Sequence, residues 1–400
     1  MPMDARLVLA ARVDALRQDL AIAAAALENP AIDSHFRQRV AVLFGGLLQR
    51  KTRDLDRLAA DLDAQAPGGP GSLAEFWRRF EQQTHDCQRV LREYRAFLEG
   101  ALLRSARLDH GICDLADALL RQLAHLTGVD WPRFTIVAED EFFAPMTDII
   151  RVRYPHVSIW NLPVLAHEFG HFVTPRLQDR LLGTDPIRDF RGEIGREMAT
   201  LAPAASRQTL VDQTLSHLDE HIADAFAVYA AGPAFVATCL LLRFEPARAH
   251  EDTREHPSDA SRTYLLLKLL DLVGAEYSKI TRALRSVWED NLSAAGVAAM
   301  GEADDWLDRL ARRLVDLFDS LTPKAKFAVG DWRRSVDLSQ RLRSAAWEQD
   351  AAALTPRDIL NGAWVCRLQN PGDTAAIGAR ALELARRLPV DAAPATPGRT

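Results

Sequence analysis

Leu7, Val8, Ala11, Val13, Leu16 and Leu20 recur at the three- and four-residue intervals of one helical face. The same rhythm runs to about residue 65 and stops at AQAPGGPGS (Ala64 to Ser72). The Pro, Gly and Ser of that stretch predict a flexible linker over about 64–72. A second long helix is expected to about Arg104, and a shorter one over 112–126. Residues 1–127 thus read as an N-terminal helical region, either a bundle or a cover over the rest of the chain.

The pattern changes at TGVDWPRFTIVAEDEFF. RFTIVA and DIIRVRYPHVSIW are short apolar, β-branched runs, the strand-like part of the chain. His156 in the second run reads as a polar strand residue. Beyond residue 215 the helical period returns. Helices are expected over 215–231, 261–273, 275–292, 304–321, 335–349, 357–368 and 374–388. The fold class is therefore mainly α with a small β part (α+β). In 304–318, DDWLDRLARRLVDLF puts its apolar residues at helical spacing, as a core face or an oligomer interface does. PVDAAPATPGRT, within 389–400, predicts a disordered tail. No repeat of fixed period emerges.

One stretch needs weighing as a membrane span. AFAVYAAGPAFVATCLLL, 225–242, carries no charge over 18 residues, which only just reaches spanning length. Gly232-Pro233 interrupts it, and Asp224 and Arg243 bound it. A buried core helix broken at the Gly-Pro is the favoured reading. The net charge of −6 argues against nucleic acid as a partner, since phosphate binding needs a basic face. The four cysteines lie far apart without a C-x-x-C pair, so neither a zinc knuckle nor a disulfide framework is expected. A reduced, cytoplasmic protein is expected, and the charged N-terminus gives no secretory signal.

The chemistry concentrates in NLPVLAHEFGHFVTP (Asn161 to Pro175). Asn161 is an expected N-cap, and Pro163 suits a first turn. His167 and His171, four apart on a helix, share a face and can reach one ion. Glu168 is turned by about 100° from His167, beside that ion rather than on it. This is H-E-x-x-H, two metal ligands with a candidate general base. Pro175 cannot donate to the carbonyl of His171, so the helix should end or kink there.

A third ligand is needed. The glycine and histidine of a metzincin would fall at 174 and 177, where Thr174 and Leu177 stand. Glu220 and Asp224 in HLDEHIADAF are four apart at the start of an apolar helix. Glu220 suits a ligand, and Asp224 suits the free N–H of a ligating histidine. Glu193 and Glu197 are rivals, also four apart, in a polar RGEIGREMA that reads as an exposed loop or helix start. His256 in REHPSDASR reads equally as a loop histidine before a helix capped by Ser258 or Asp259. Tyr154, Tyr229 and Tyr264 are further candidate donors.

HEFGH followed by EHIAD resembles the gluzincin metallopeptidases. With His256-Pro257 and Arg262 downstream, it is particularly similar to the CAAX prenyl endopeptidase-like group, which has an H-P-x-x-x-x-R element. The resemblance covers 167–262. It implies a zincin-like core over 128–275, flanked by the helical regions 1–127 and 276–388. It implies zinc held by His167, His171 and Glu220, with Glu168 as the base acting on a zinc-bound water and Asp224 behind the ligands. It would make His256 an oxyanion donor and Arg262 an orienting group. That group is usually membrane-embedded, and this chain lacks clear spans, so membrane location and prenylated substrates are not carried over. The expected function is hydrolysis of peptide bonds in a peptide or protein substrate. The alternatives are a non-catalytic or single-target regulatory protein on a zincin-like scaffold, with helical flanks binding partners, and a membrane-surface protein inserting 225–242.

Overall fold

The computed structural model describes residues 5–26, 34–64, 70–131, 134–138, 143–144, 149–153, 158–177, 183–201, 207–298, 305–344 and 354–388. The chain is mainly helical and divides into two compact units, Met1–His110 with Ile136–Glu139, and Gly111–Thr135 with Asp140–Thr400.

The first unit holds α1 (Ala5–Ala26), α2 (Ser34–Ala64), α3 (Pro70–Ser105) and the short strand β1 (Ile136–Ala138). Val13, Leu16 and Leu20 of α1 pack with Leu55 and Leu58 of α2 and Phe80 of α3. This is the helical-period face legible in the sequence. The expected linker falls largely on 65–69, outside the described residues, and α3 already begins at Pro70.

The second unit begins with α4 (Ile112–Thr127), which the sequence grouped with the N-terminal region. Strands β2 (Phe143–Ala144) and β3 (Ile149–Arg153) pair antiparallel, Phe143 opposite Ile150 and Ala144 opposite Ile149. The expected strand is described as far as Arg153. Tyr154 and His156 lie outside the described residues, and Ile159 and Trp160 form a turn rather than strand. The unit continues with α5 (Leu165–Val173), α6 (Pro186–Leu201), α7 (Arg207–Ala231), α8 (Pro233–Thr238), α9 (Asp259–Val273), α10 (Ser278–Ala294), α11 (Asp305–Leu321), α12 (Val329–Leu342), α13 (Pro356–Gln369) and α14 (Thr374–Arg386). RGEIGREMA is helical throughout, inside α6, not a loop. Helix α12 starts before the expected 335, because Asp331 accepts the Ala328 N–H at 3.0 Å and closes the helix N-terminus. The apolar face of α11 is core, with Leu307, Leu310, Leu314 and Phe318 buried. The expected tail 389–400 lies outside the described residues.

The apolar run is buried over 225–240, exposed at Leu242, and broken where its sequence indicates. Gly232, at φ 72, takes a conformation other residues resist, and Pro233 restarts the chain as α8. Breaking a buried helix strands its polar groups, and α13 supplies partners. Arg357 donates to the Ala230 carbonyl at 2.8 Å, and Asn361 donates to that of Ala231 at 2.8 Å. The Ala234 N–H returns to Asn361 Oδ1 at 2.8 Å. Among the described residues no helix is long and apolar enough to cross a membrane.

Candidate metal centre

Helices α5 and α7 build the site. A 3-10 turn, Leu162–Val164, leads into α5 with Pro163 in its first turn. Asn161 precedes that turn but its side chain makes no cap bond, so the expected N-cap role is not found. The α-helix ends at Val173, and a 3-10 turn over Thr174–Arg176 takes up the chain at Pro175. Phe169 and Phe172 of α5 pack against Trp131, and Phe169 also meets Phe226 of α7. Burying one such phenylalanine contributes about 1.5–3 kcal/mol.

One residue sets how near the two helices lie. A Cβ on Gly170 would stand 3.0 Å from the Ala223 Cα and 3.1 Å from its carbonyl oxygen. Glycine on α5 and alanine on α7 let the backbones touch. The glycine of HEFGH and the alanine of EHIAD are thus two halves of one contact, flanked on each helix by the site residues.

Across that contact His167, His171 and Glu220 converge. The two Nε2 atoms are 3.1 Å apart. Glu220 Oε2 is 3.5 Å from His167 Nε2, and its Oε1 is 3.3 Å from His171 Nε2. Ligands at about 2.0–2.2 Å around a tetrahedral ion stand about 3.3–3.6 Å from one another, close to these separations. Two imidazole nitrogens and a carboxylate, aimed at one point from mostly buried positions, can hold a metal ion.

The surroundings brace this group. Asp224, fully buried one turn beyond Glu220, has Oδ1 2.8 Å from His167 Nδ1. Arg262 of α9 grips the same carboxylate with two bonds, Nη2 to Oδ1 at 2.7 Å and Nε to Oδ2 at 2.8 Å. His256 places Nδ1 3.0 Å from Glu220 Oε2. Burial alone would raise the Asp224 carboxyl, but Arg262 and His167 outweigh it and hold the group below the usual carboxylate range. Burial lowers the His167 pKa, yet Asp224, with Glu220 and Glu168, reverses this and pushes it up to about 10. Glu220 is likewise held well below its ordinary value against burial, through His167, His171 and His256.

A cavity of about 350 Å³ opens on this group, lined by Val164, His167, Glu168, Glu220, Phe235 and His256 among others. Glu168 is half-buried there and stands outside the three-residue group. A second cavity, also about 350 Å³, is lined by His171, Asp219, Arg188 and Arg191.

The rival carboxylates are elsewhere: exposed Glu193 pairs with Arg313, whose other nitrogen is 4.0 Å from Glu197. Tyr229 donates to Asp319 and Tyr264 to Asp308, each at 2.8 Å. Tyr154 lies outside the described residues. Ser258, not Asp259, caps α9. Sequence reasoning missed the cavity wall from α8 onward, where Phe235 stacks on the His167 ring at 6.1 Å and 16°. Phe235, Cys239 and Arg243 all line the cavity, and within an apolar run nothing in the sequence singles out that face.

Comparison with protein-family models, with curated proteins and with solved structures finds no match to this chain.

Proposed function

We propose that the chain is a zinc-dependent peptidase with a zincin-like core, hydrolysing a peptide or protein substrate in the cavity beside α5. The observation that carries this reading is that Glu168 lines the same cavity as His167 and Glu220, two of the three residues that converge with His171. A two-histidine, one-carboxylate donor set suits zinc and leaves room for a further ligand. Zinc held there supplies Lewis acidity, which polarises a carbonyl and acidifies water.

The chain's own groups do the rest. Glu168 takes the proton of the attacking water and passes it to the leaving amine. Asp224 accepts from His167 Nδ1, which fixes the tautomer and aims the Nε2 lone pair at the site. Arg262 balances the buried charge of Asp224. His256, half exposed at the cavity, steadies Glu220 through Nδ1. That contact makes His256 a positioning residue rather than the oxyanion donor that the resemblance implies.

The test pairs metal content with turnover in the full-length protein. The wild type should carry about one zinc per chain and cleave a peptide library. His171→Ala should lose the metal, and Glu168→Gln should keep it and lose cleavage. Stoichiometric zinc in His171→Ala overturns the ligand assignment, and wild-type turnover by Glu168→Gln overturns the mechanism.

A further inference from the structure

His256 reaches the metal group from the loop that joins the 3-10 turn Pro246–Arg248 to α9. The loop is closed at its base, where the Ala260 N–H donates to the Ala249 carbonyl at 2.8 Å. Asp252 staples it further up, accepting the Ser258 N–H at 2.7 Å. At the tip Thr253 and His256 bind each other. The Thr253 N–H donates to the His256 carbonyl at 2.9 Å, and the His256 N–H donates to Thr253 Oγ1 at 2.8 Å. These bonds give the tip its shape. They do not set where it lies, because every residue from 251 to 256 is exposed and none is held by burial.

Helix α7 supplies the position. His217 Nε2 stands 2.9 Å from the Thr253 carbonyl oxygen. A carbonyl only accepts, so Nε2 carries the proton and donates. Ser216 Oγ donates to the Glu255 carbonyl at 3.4 Å, a longer second tie. His217 and Glu220 are three apart on α7 and so are neighbours on its surface. Thr253 and His256 are likewise three apart in the loop. The tip therefore meets α7 at two points about one turn apart. His217 holds the Thr253 carbonyl, and Glu220 Oε2 lies 3.0 Å from His256 Nδ1. The first of these points lies outside both the metal group and its cavity.

We propose that His217 is a positioning residue for the metal centre: its bond to the Thr253 carbonyl holds the 251–256 loop so that His256 meets Glu220. This role rests on the metal centre of the proposed function and not on peptide cleavage. Without the tie the exposed tip is free to leave α7, and Glu220 loses the donor that orients its carboxylate. His217 acts two links from the metal group, through a single hydrogen bond of ordinary strength. Its loss should therefore matter less than the loss of His256 itself.

Zinc affinity, read by chelator competition on the full-length protein in a double-variant cycle, tests this. His256→Ala should weaken zinc about tenfold or more. His217→Ala should weaken it about two- to tenfold. The two losses should not add, because the tie has no His256 to position once that side chain is gone. His217→Ala should thus change nothing in the His256→Ala background. His217→Gln, whose amide nitrogen can donate to the same carbonyl, should regain most of the wild-type affinity. Thr253→Val keeps the side-chain shape but removes the oxygen that accepts the His256 N–H, and it should weaken zinc as His217→Ala does. A second readout needs no metal. In metal-free protein, trypsin should cut after Arg254, exposed in the tip, about two- to tenfold faster in His217→Ala than in the wild type. Wild-type zinc affinity in His217→Ala, additive losses in the cycle, or an unchanged rate at Arg254 overturns the proposal. A wild type that holds no zinc overturns the metal centre, and this role with it. Zinc bound without cleavage of any peptide overturns the peptidase reading alone.

Discussion

Asp224→Asn separates two roles that one buried carboxylate performs. The substitution keeps size and shape and removes the charge. Asp224 Oδ1 takes a bond from Arg262 Nη2 and lies 2.8 Å from His167 Nδ1, and Oδ2 takes a bond from Arg262 Nε. The better orientation of an asparagine keeps its oxygen at the Oδ1 position. Its amide then faces Arg262 Nε, donor against donor. The guanidinium loses its counter-charge while still buried under Phe244, whose ring centroid is 5.1 Å away. Removing one partner of a buried ion pair costs about 3–5 kcal/mol. For a unit of this size that lowers Tm by on the order of 10 °C, readable by calorimetry. Zinc affinity should fall about 10- to 100-fold in a competition titration with a chelator, because a neutral amide oxygen in place of the carboxylate leaves His167 a less basic ligand. The double variant Asp224→Asn with Arg262→Met tells the two apart. It removes both charges and keeps an apolar side chain under Phe244, so most of the lost stability should return while zinc affinity stays weak. A single variant that melts with the wild type, or a double variant that regains wild-type affinity, refutes the reasoning.

Gly170→Ala gains up to about 1 kcal/mol of helix propensity but drives a methyl into the Ala223 backbone, an overpacking cost of about 1–3 kcal/mol. The overpacking should win, with urea melts showing a net loss and chelator competition showing weaker zinc binding. Gly192→Ala in α6 meets only the end of the Arg196 side chain and should instead stabilise; the same sign for both variants would contradict the contact argument. The cysteines give a pH prediction. Burial first, then Asp86 and Asp54 against Lys51, push the Cys87 thiol up to about 11, and burial raises Cys239 and Cys366 too. The thiolate is the reactive form, so alkylation of Cys87 should be negligible at pH 8 and rise only as pH approaches about 11. All four cysteines are buried and unbridged, so all four should react once the protein is unfolded in denaturant. Fast modification of Cys87 in the native protein at pH 8 would count against its buried place.

The parts of the site that were legible are those whose chemistry is local. Ligands one helical turn apart must appear as H-x-x-x-H, and a ligand with its bracing acid must appear as E-x-x-x-D, whatever surrounds them. Even the letters between have a local cause, since Gly170 and Ala223 are small only because α5 and α7 touch there. Arg262 could be placed near the site only through the resemblance and its H-P-x-x-x-x-R element, and its two-bond grip on Asp224 is tertiary and leaves no period in the sequence. The cavity wall was hidden for a sharper reason. A segment buried on every side has no polar face, so 225–240 carries no amphipathic signal from which to read which residues face the cavity. The break at Gly232 and the π turn at Cys239–Arg243 then re-aim that wall. The break is held by Arg357 and Asn361, 127 and 130 residues away from the carbonyls they satisfy. These distant partners satisfy the broken helix, and beyond the break Phe235 stacks on His167 and Arg243 lines the same cavity. The motif thus accounts for the end of the cavity where His167 and Glu220 stand, whereas the wall from Phe235 to Arg243 belongs to the part of the fold that sequence periodicity could not reveal.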